Sequence, residues 1–423
     1  MSFSTNRKTL LFVMPRLPFP MISGRKTSLY HYCRILSDKM GYRLVVAAFL
    51  EKGDKMESMP PFIDKLVVLK KPKKLERITN IIYKSIIKRN LPLQVSLYLS
   101  CEAKKQIEAI VKEEKPDIVM ADMVRCTEYI KNVKAYRIAD LDDRISLRYQ
   151  RQLDTDINSI NPYGAFLDTL PIFLKQIALI KPLKIMILKK EISLLREYEL
   201  RVGESFDKTV FVGKEEVRSF NREIGEEKAI AVPIGVDIEY FRPSEQIIEK
   251  DNIISFLGAL NVAHNASAIS HFVDNIFPLV LSEVPNARLC IIGGGASVEL
   301  LKKASPSVEF VGSVEDVSEY LNKSKVFVCP MLFGSGIKTK NLEAMSLGIP
   351  LVTTPVGAEN ITAVNGKDWY IASSEREFAD KVVKVLSDAK LEHSIGLAAR
   401  KYIVENFTWD VAEKQFKRIM MEI

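Results

Sequence analysis

The sequence predicts an α/β protein of two Rossmann-like, doubly wound domains whose ligand-binding edges face a common cleft. Three observations predict it. Short, fully apolar runs alternate with helical patterns along most of the chain, as buried parallel strands joined by crossover helices require. The 423 residues exceed what one core comfortably holds. The composition, 47% hydrophobic and 27% charged with 19 Gly and 19 Pro, excludes disordered, collagen-like and disulfide-scaffold classes.

The elements follow in order. TLLFVMP (Thr9 to Pro15) reads as a strand, RLPFPMISG as the loop after it, Arg25 to Met40 as a helix and YRLVVAAFL as the next strand. DKLVVLK, DIVMAD and AYRIADLDD continue the series, with EAKKQIEAIVKEE (Glu102 to Glu114) as a helix between them. After the charged helix LKKEISLLREYELRVGESF, the run KTVFVGKEE at Lys208 reads as the start of a second domain. VPIGVDIEYFRP (Val232 to Pro243) is a turn-rich connector, and IISFLGA, ARLCIIGGG, VEFVGSV, KVFVCPM and IPLVTTP are the strands that follow. NFTWDVAEKQFKRIMMEI closes the chain as a helix capped by Thr408, Asp410 or both. The expected domains are residues 1–204, 205–405 and a terminal helix at 406–423 that crosses back to the first. Open α/β sheets bind ligands at the carboxyl ends of their strands, which places the expected active site in the cleft.

The charge is uneven. Through Arg201 there are 37 Lys/Arg against 22 Asp/Glu, and beyond it 24 against 31, within an overall net charge of +8. A basic half of this size faces an anionic partner. KKPKKLERITNIIYKSIIKR (Lys70 to Arg89) and PIFLKQIALIKPLKIMILKK (Pro171 to Lys190) interleave Lys and Arg with Ile, Leu and Phe, the composition of helices in a membrane interface; the plain alternative is amphipathic helices packed on a core. Single-strand nucleic-acid binders place aromatics for base stacking instead, so no nucleic acid is expected. There is no span of apolar residues long enough for a transmembrane helix, no signal-peptide pattern at the start, and no Cys-x-x-Cys pair among five scattered cysteines. The expected location is cytoplasmic, peripheral on the inner face of the membrane.

Chemistry concentrates in FGSGIKTKNLEAMSLGIPLVTTPVGAENI (Phe333 to Ile361), where a glycine loop enters a helix near Lys338. Gly334 and Gly336 let backbone amides approach a ligand, and the helix start with Lys338 and Lys340 suits phosphate oxygens. Glu343, one turn on, can accept both hydroxyls of a ribose. A nucleotide diphosphate satisfies both features; a solvated Lys/Glu helix start is the alternative. GGG (Gly293 to Gly295) lacks the dinucleotide spacing and reads as a turn nearby.

This segment resembles the donor motif of GT-B glycosyltransferases, family 4 of the retaining enzymes. VPIGVDIEYFRP is similar to that family's connector, FLGALNVAHNASAISHF to its first C-domain strand and loop, VEFVGSVEDVSEYLNKSKVFVCP to its nucleotide-facing strand, and NFTWDVAEKQF to its terminal helix. The resemblance implies that Glu343 binds the ribose, that Lys340 or Lys338 binds the diphosphate, that Gly258 and Asn265 face the diphosphate, and that Gly312 and Val314 face the base. Gly334, Ser335 and Gly336 form the donor loop. Two departures stand out: Ser335 replaces a sugar-contacting glutamate common among relatives, and Asn265 and His264 stand in a loop that often carries arginine. The branch it looks closest to includes sugar transferases of bacterial exopolysaccharide clusters.

In the first domain, Gly24, Arg25 and Lys26 make a basic loop for a phosphate of donor or acceptor, or a helix start with solvated charges. Asp140, Asp142 and Asp143 follow a strand, where a carboxylate holds or deprotonates an acceptor hydroxyl; capping of the next helix is the rival. Their Asp-x-Asp spacing also suits a metal, but the resemblance implies metal-free chemistry in which lysines and helix dipoles stabilise the leaving diphosphate. Catalytic roles are thus expected for Lys338, Lys340, Asp140 and Asp142, and acceptor binding for Gly24, Arg25, Lys26, Asp142 and Asp143. The expected activity is sugar transfer from a nucleotide-diphosphate sugar to a lipid-linked or oligosaccharide acceptor, with no cofactor. A nucleotide-sugar epimerase or a silent partner subunit are the alternatives.

Overall fold

The computed structural model describes residues 7–21, 24–51, 54, 56–155, 181–244, 251–334 and 336–423. The chain divides into two compact units: Met1–Pro233 with Ala412–Ile423, and Ile234–Val411.

In the first unit, strands β1 (Thr9–Met14), β2 (Arg43–Ala48), β3 (Lys65–Val68), β4 (Ile118–Asp122), β5 (Tyr136–Asp142), β6 (Lys208–Phe211) and β7 (Ala229–Ala231) form a sheet of order β3-β2-β1-β4-β5-β6-β7. Every pairing is parallel. Helices cover both faces, which is why Leu10 to Met14 are all fully buried and why the run contains no polar residue. The helix Lys181–Ser205 packs on this sheet through Leu188, Leu195, Tyr198 and Val202.

The second unit holds β8 (Ile253–Leu257), β9 (Arg288–Ile292), β10 (Val308–Gly312), β11 (Val326–Cys329), β12 (Leu351–Thr353) and β13 (Tyr370–Ile371), in the order β10-β9-β8-β11-β12-β13. This sheet too is parallel throughout. Two doubly wound Rossmann-like sheets are therefore present, as expected.

The expected boundary at 204/205 is corrected to Pro233/Ile234. The run at Lys208 does not open a new sheet: Ile138 pairs with Lys208 and Thr209 with Ala229, so β6 and β7 extend the first sheet before the connector begins. The last helix, Trp409–Met420, supplies Ala412–Ile423 to the first unit, where Phe416 meets Tyr32 edge-on at 5.0 Å and Glu422 lies 2.6 Å from Lys208. Its cap is Thr408, whose hydroxyl accepts from the Val411 amide at 3.3 Å. Pro171 to Ile180, the first half of the second basic stretch, lies outside the described residues.

Candidate functional site

In the second unit the carboxyl ends of β8, β9 and β10 converge closely. A Cβ on Gly258 would lie 2.8 Å from the Lys340 Nζ, and one on Gly293 would lie 2.1 Å from the Gly258 carbonyl oxygen, so backbone and cation share space that only glycine leaves open. Gly293 also has φ of +142°. The GGG run is thus a turn at this site, as its failed spacing implied.

Asn265, in the first turn of the helix Ala263–His271, orients the cation. Its Nδ2 donates to the Ala259 carbonyl at 3.0 Å, and its Oδ1 accepts from Lys340 Nζ at 2.7 Å. Lys340 opens the helix Thr339–Ser346 and lies 4.4 Å from the Phe256 ring centroid. Lys338, just before that helix, is 7% exposed; its Nζ donates to the Gly336 carbonyl at 2.6 Å and sits 4.0 Å from Glu359. Burial depresses the pKa of both lysines, against which the charge of Glu359 helps Lys338 and that of Glu343 helps Lys340. Two partly desolvated ammonium groups beside a glycine loop suit an anion, because an anion restores the charge stabilisation that burial removes.

Glu343 lies one turn into the same helix, and burial pushes its carboxyl up to about 7 while Lys340 pulls it down. Burial followed by the charges of Lys340 and Lys338 lowers the His264 pKa, so the imidazole at this site is neutral near pH 7. Gly334 and Gly336 take φ of +116° and +77°, which accounts for both loop glycines. Gly312 ends β10 at φ +83°, and Val314 packs partly buried against the neighbouring apolar cluster. Ser335 lies outside the described residues. The structure thus brings Gly258, Asn265, Lys338, Lys340 and Gly336 together. It adds Glu359, which the sequence reading passed over: its Oε2 accepts from the Gly336 amide at 2.9 Å. Its only signal was a carboxylate in the run PVGAENI.

The first unit holds a different arrangement. Arg25, from the helix Gly24–Arg34, reaches three carboxylates at the ends of β4 and β5: Asp122, Asp140 at 2.7 Å and Asp142 at 2.9 Å. Burial disfavours the guanidinium, but the carboxylates overcome this and raise its pKa well above the ordinary value. Burial also holds the Asp140 and Asp122 carboxyls above the usual range, with Arg25 opposing. Lys26, 3% exposed, pairs with Asp54 at 2.5 Å. The Gly24/Arg25/Lys26 loop is therefore corrected from an open anion binder to a charge-compensated anchor, since both cations are already committed to carboxylates. Asp142 is the solvent-facing member, its side chain 23% exposed and its φ +66°. Asp143 pairs with Arg148 at 3.0 Å. Among the described residues, no group of three or more His, Cys, Asp or Glu is placed to hold a metal ion.

The basic stretch Lys70 to Arg89 forms the helix Lys74–Asn80, continued by a wider turn over Ile81–Ile87. Leu75, Ile78, Ile82, Tyr83, Ile86 and Ile87 are all exposed, with Leu75 at 72% and Ile87 at 64%. Lys71, Lys73, Lys74, Lys88 and Arg89 are exposed beside them. Among the described residues, no helix is long and apolar enough to cross a membrane.

Residues 251–388 match the family model described as Glycosyl transferases group 1. The capsular polysaccharide biosynthesis glycosyltransferase CapM of Staphylococcus aureus is 27% identical over 165 residues, 36% of this chain and 43% of CapM. The chain spans about half the length of the curated relatives it matches. Sucrose-phosphate synthase from Thermosynechococcus elongatus superposes with a TM-score of 0.68 at 12% identity, over 98% of this chain and 99% of that one. Anabaena HepE, solved in complex with UDP and glucose, superposes with a TM-score of 0.62 at 11% identity, over 99% of this chain and 100% of that one. These likenesses show the fold, GT-B with two Rossmann-like domains.

Proposed function

We propose, from the match of residues 251–388 to the glycosyl transferases group 1 model, that the protein is a retaining glycosyltransferase. It moves a sugar from a nucleotide-diphosphate sugar to a lipid-linked saccharide acceptor in bacterial surface polysaccharide synthesis. The observation that carries the reading is the buried Lys338 and the half-buried Lys340 at the glycine loop, with Glu343 a turn away on the same helix. The relatives support it: CapM is named for capsular polysaccharide biosynthesis, and HepE was solved with UDP and glucose.

In this reaction the bond between the sugar's anomeric carbon and the diphosphate oxygen breaks, and the acceptor hydroxyl oxygen bonds to that carbon on the same face. Negative charge grows on the leaving oxygen. Lys338, Lys340 and the start of the helix Thr339–Ser346 neutralise it from fixed positions, so little reorganisation accompanies bond breaking. Gly258 and Asn265 position Lys340, Gly312 and Val314 face the base, and Gly334 and Gly336 flank the diphosphate. In the first unit, Asp142, held by Arg25 beside the buried Asp140, is the carboxylate available to take the proton that an acceptor hydroxyl loses. The exposed Leu/Ile face of the helix Lys74–Asn80 and the turn after it, flanked by lysines, rests on the anionic inner face of the membrane where such acceptors reside.

A calorimetric screen of UDP, GDP and their sugars against wild type and Glu343→Ala tests the donor site. One nucleotide binding the wild type and lost in the variant is expected; no binding to any would point to a silent partner subunit. Co-sedimentation with vesicles containing phosphatidylglycerol at low and high salt tests the membrane face, which an epimerase of free nucleotide sugars does not need.

A further inference from the structure

Resting on the donor reading of this site, we propose that Glu359 is the resident counter-anion of the diphosphate subsite. It holds the Gly336 amide and balances Lys338 in the donor-free enzyme, and yields both to the incoming diphosphate. One carboxylate oxygen serves both contacts: Glu359 Oε2 accepts from the Gly336 N–H at 2.9 Å and lies 4.0 Å from Lys338 Nζ. These are the loop amide and the cation that the diphosphate needs.

The placement is built into the backbone. The Thr354 hydroxyl donates to the Met331 carbonyl at 2.6 Å and accepts from the Gly357 amide at 3.1 Å. Asn341, on the lysine-bearing helix, donates to the Gly357 carbonyl at 2.9 Å. A Cβ at Gly357 would lie 2.1 Å from Thr353 Oγ1 and 2.9 Å from the Cys329 carbonyl oxygen, so the turn sits hard against β11 and β12. Asn360 then takes φ of +63°. The turn that presents Glu359 is thus tied to the end of β11, to β12 and to the helix that carries Lys340.

A diphosphate brings further negative charge to contacts that a carboxylate already fills. Like charges in a half-buried site repel strongly, so the carboxylate gives way, and the exchange weakens the net binding of the nucleotide. The device favours release of the nucleoside diphosphate after transfer. It differs from a sugar-contacting carboxylate, which would strengthen binding of the nucleotide sugar relative to the bare nucleotide.

The test uses the full chain with Glu359→Gln and Glu359→Ala, and calorimetry with UDP, GDP and the matching nucleotide sugars. Glutamine keeps an acceptor for the Gly336 amide while removing the charge, so the fold is retained; circular dichroism and thermal melting verify both variants. The expected result is a nucleoside diphosphate bound about tenfold more tightly by Glu359→Gln than by wild type, with slower release of that product. Unchanged or weaker binding in the folded variants overturns the proposal. A loss confined to the nucleotide sugar overturns it too, and assigns Glu359 to sugar recognition. Wild-type binding that Glu343→Ala abolishes and the Glu359 variants leave unchanged sinks this inference alone. Absence of any nucleotide binding to wild type sinks the donor reading with it.

Discussion

Gly258→Ala tests the link between backbone geometry and donor affinity. The added Cβ would sit 2.8 Å from Lys340 Nζ, 2.8 Å from Asn265 Nδ2 and 2.9 Å from Asn265 Cγ. Ordinary contact begins near ~3.4 Å, so both polar ends must retreat by about half an ångström or more. Each is the far end of a side chain and the backbone stays in place, so the protein should still fold, its unfolding midpoint lowered by no more than the weakened Lys340–Asn265 bond accounts for. The cost falls on the 2.7 Å bond from Lys340 to Asn265 and on the aim of the ammonium. A hydrogen bond to a charged group contributes about 1.5–3 kcal/mol. Affinity for the nucleoside diphosphate should therefore fall roughly 10- to 100-fold, read by calorimetry at fixed salt, with melting temperature as the control. A folded Gly258→Ala protein with wild-type affinity would refute the assignment of Lys340 as a diphosphate anchor. By contrast, a Cβ on Gly293 meets the Gly258 carbonyl oxygen at 2.1 Å with φ at +142°, so the same substitution there should unfold the second unit.

Other outcomes follow from the first unit. Arg25→Met leaves Asp122, Asp140 and Asp142 without their common partner, and should destabilise the protein by about 3–5 kcal/mol in urea unfolding; adding Asp140→Asn should recover part of that. Burial pushes Glu191 and Glu199 each up to about 7 from an ordinary 4.5. The folded state therefore holds their protons more tightly than the unfolded state, so what these two groups contribute to stability is greatest at low pH and is lost as pH rises from about 5 through 7, by about 3 kcal/mol per group. Glu191→Gln with Glu199→Gln should flatten the decline of urea midpoints between pH 5 and 8, and an unchanged slope would contradict it. Ile82→Asp with Ile86→Asp, on exposed positions, should leave the melting temperature within about 1 kcal/mol equivalent and abolish vesicle co-sedimentation.

What was legible in the sequence follows physical lines. A strand buried on both faces must be apolar at every position, so Leu10 to Met14, Ile118 to Ala121 and Val326 to Cys329 announce themselves without any partner in view. Gly334 and Gly336 were legible because a loop entering a helix beside two lysines needs backbone turns that few other residues adopt. Sheet membership was not, because Lys208 to Phe211 looks the same whether it pairs with β5 or begins a new sheet. Arg25 was misread for the same reason: its charge is visible, but Asp122 is 97 positions away, and only the fold shows that the cation is already balanced. Glu359 was missed because its partner amide lies 23 residues away, across the helix Thr339–Ser346 and the strand β12.

The two halves of the chain carry their functional charge against their net charge, which argues that burial, not the overall balance, defines the sites. The first 201 residues are basic, with 37 cations to 22 anions, yet their buried cluster sets three carboxylates on one arginine. The rest of the chain is acidic, with 24 cations to 31 anions, yet it gathers the buried Lys338 and the half-buried Lys340 at one helix start. Exposed charges are screened beyond about 8 Å at physiological salt, so a surface excess acts only on something laid against that surface. Buried charges escape that screening and act on a ligand held among them. The lysines around the exposed Leu75 to Ile87 face therefore suit an extended anionic surface, whereas the buried Lys338 and half-buried Lys340 of the second unit suit a small anion held between them.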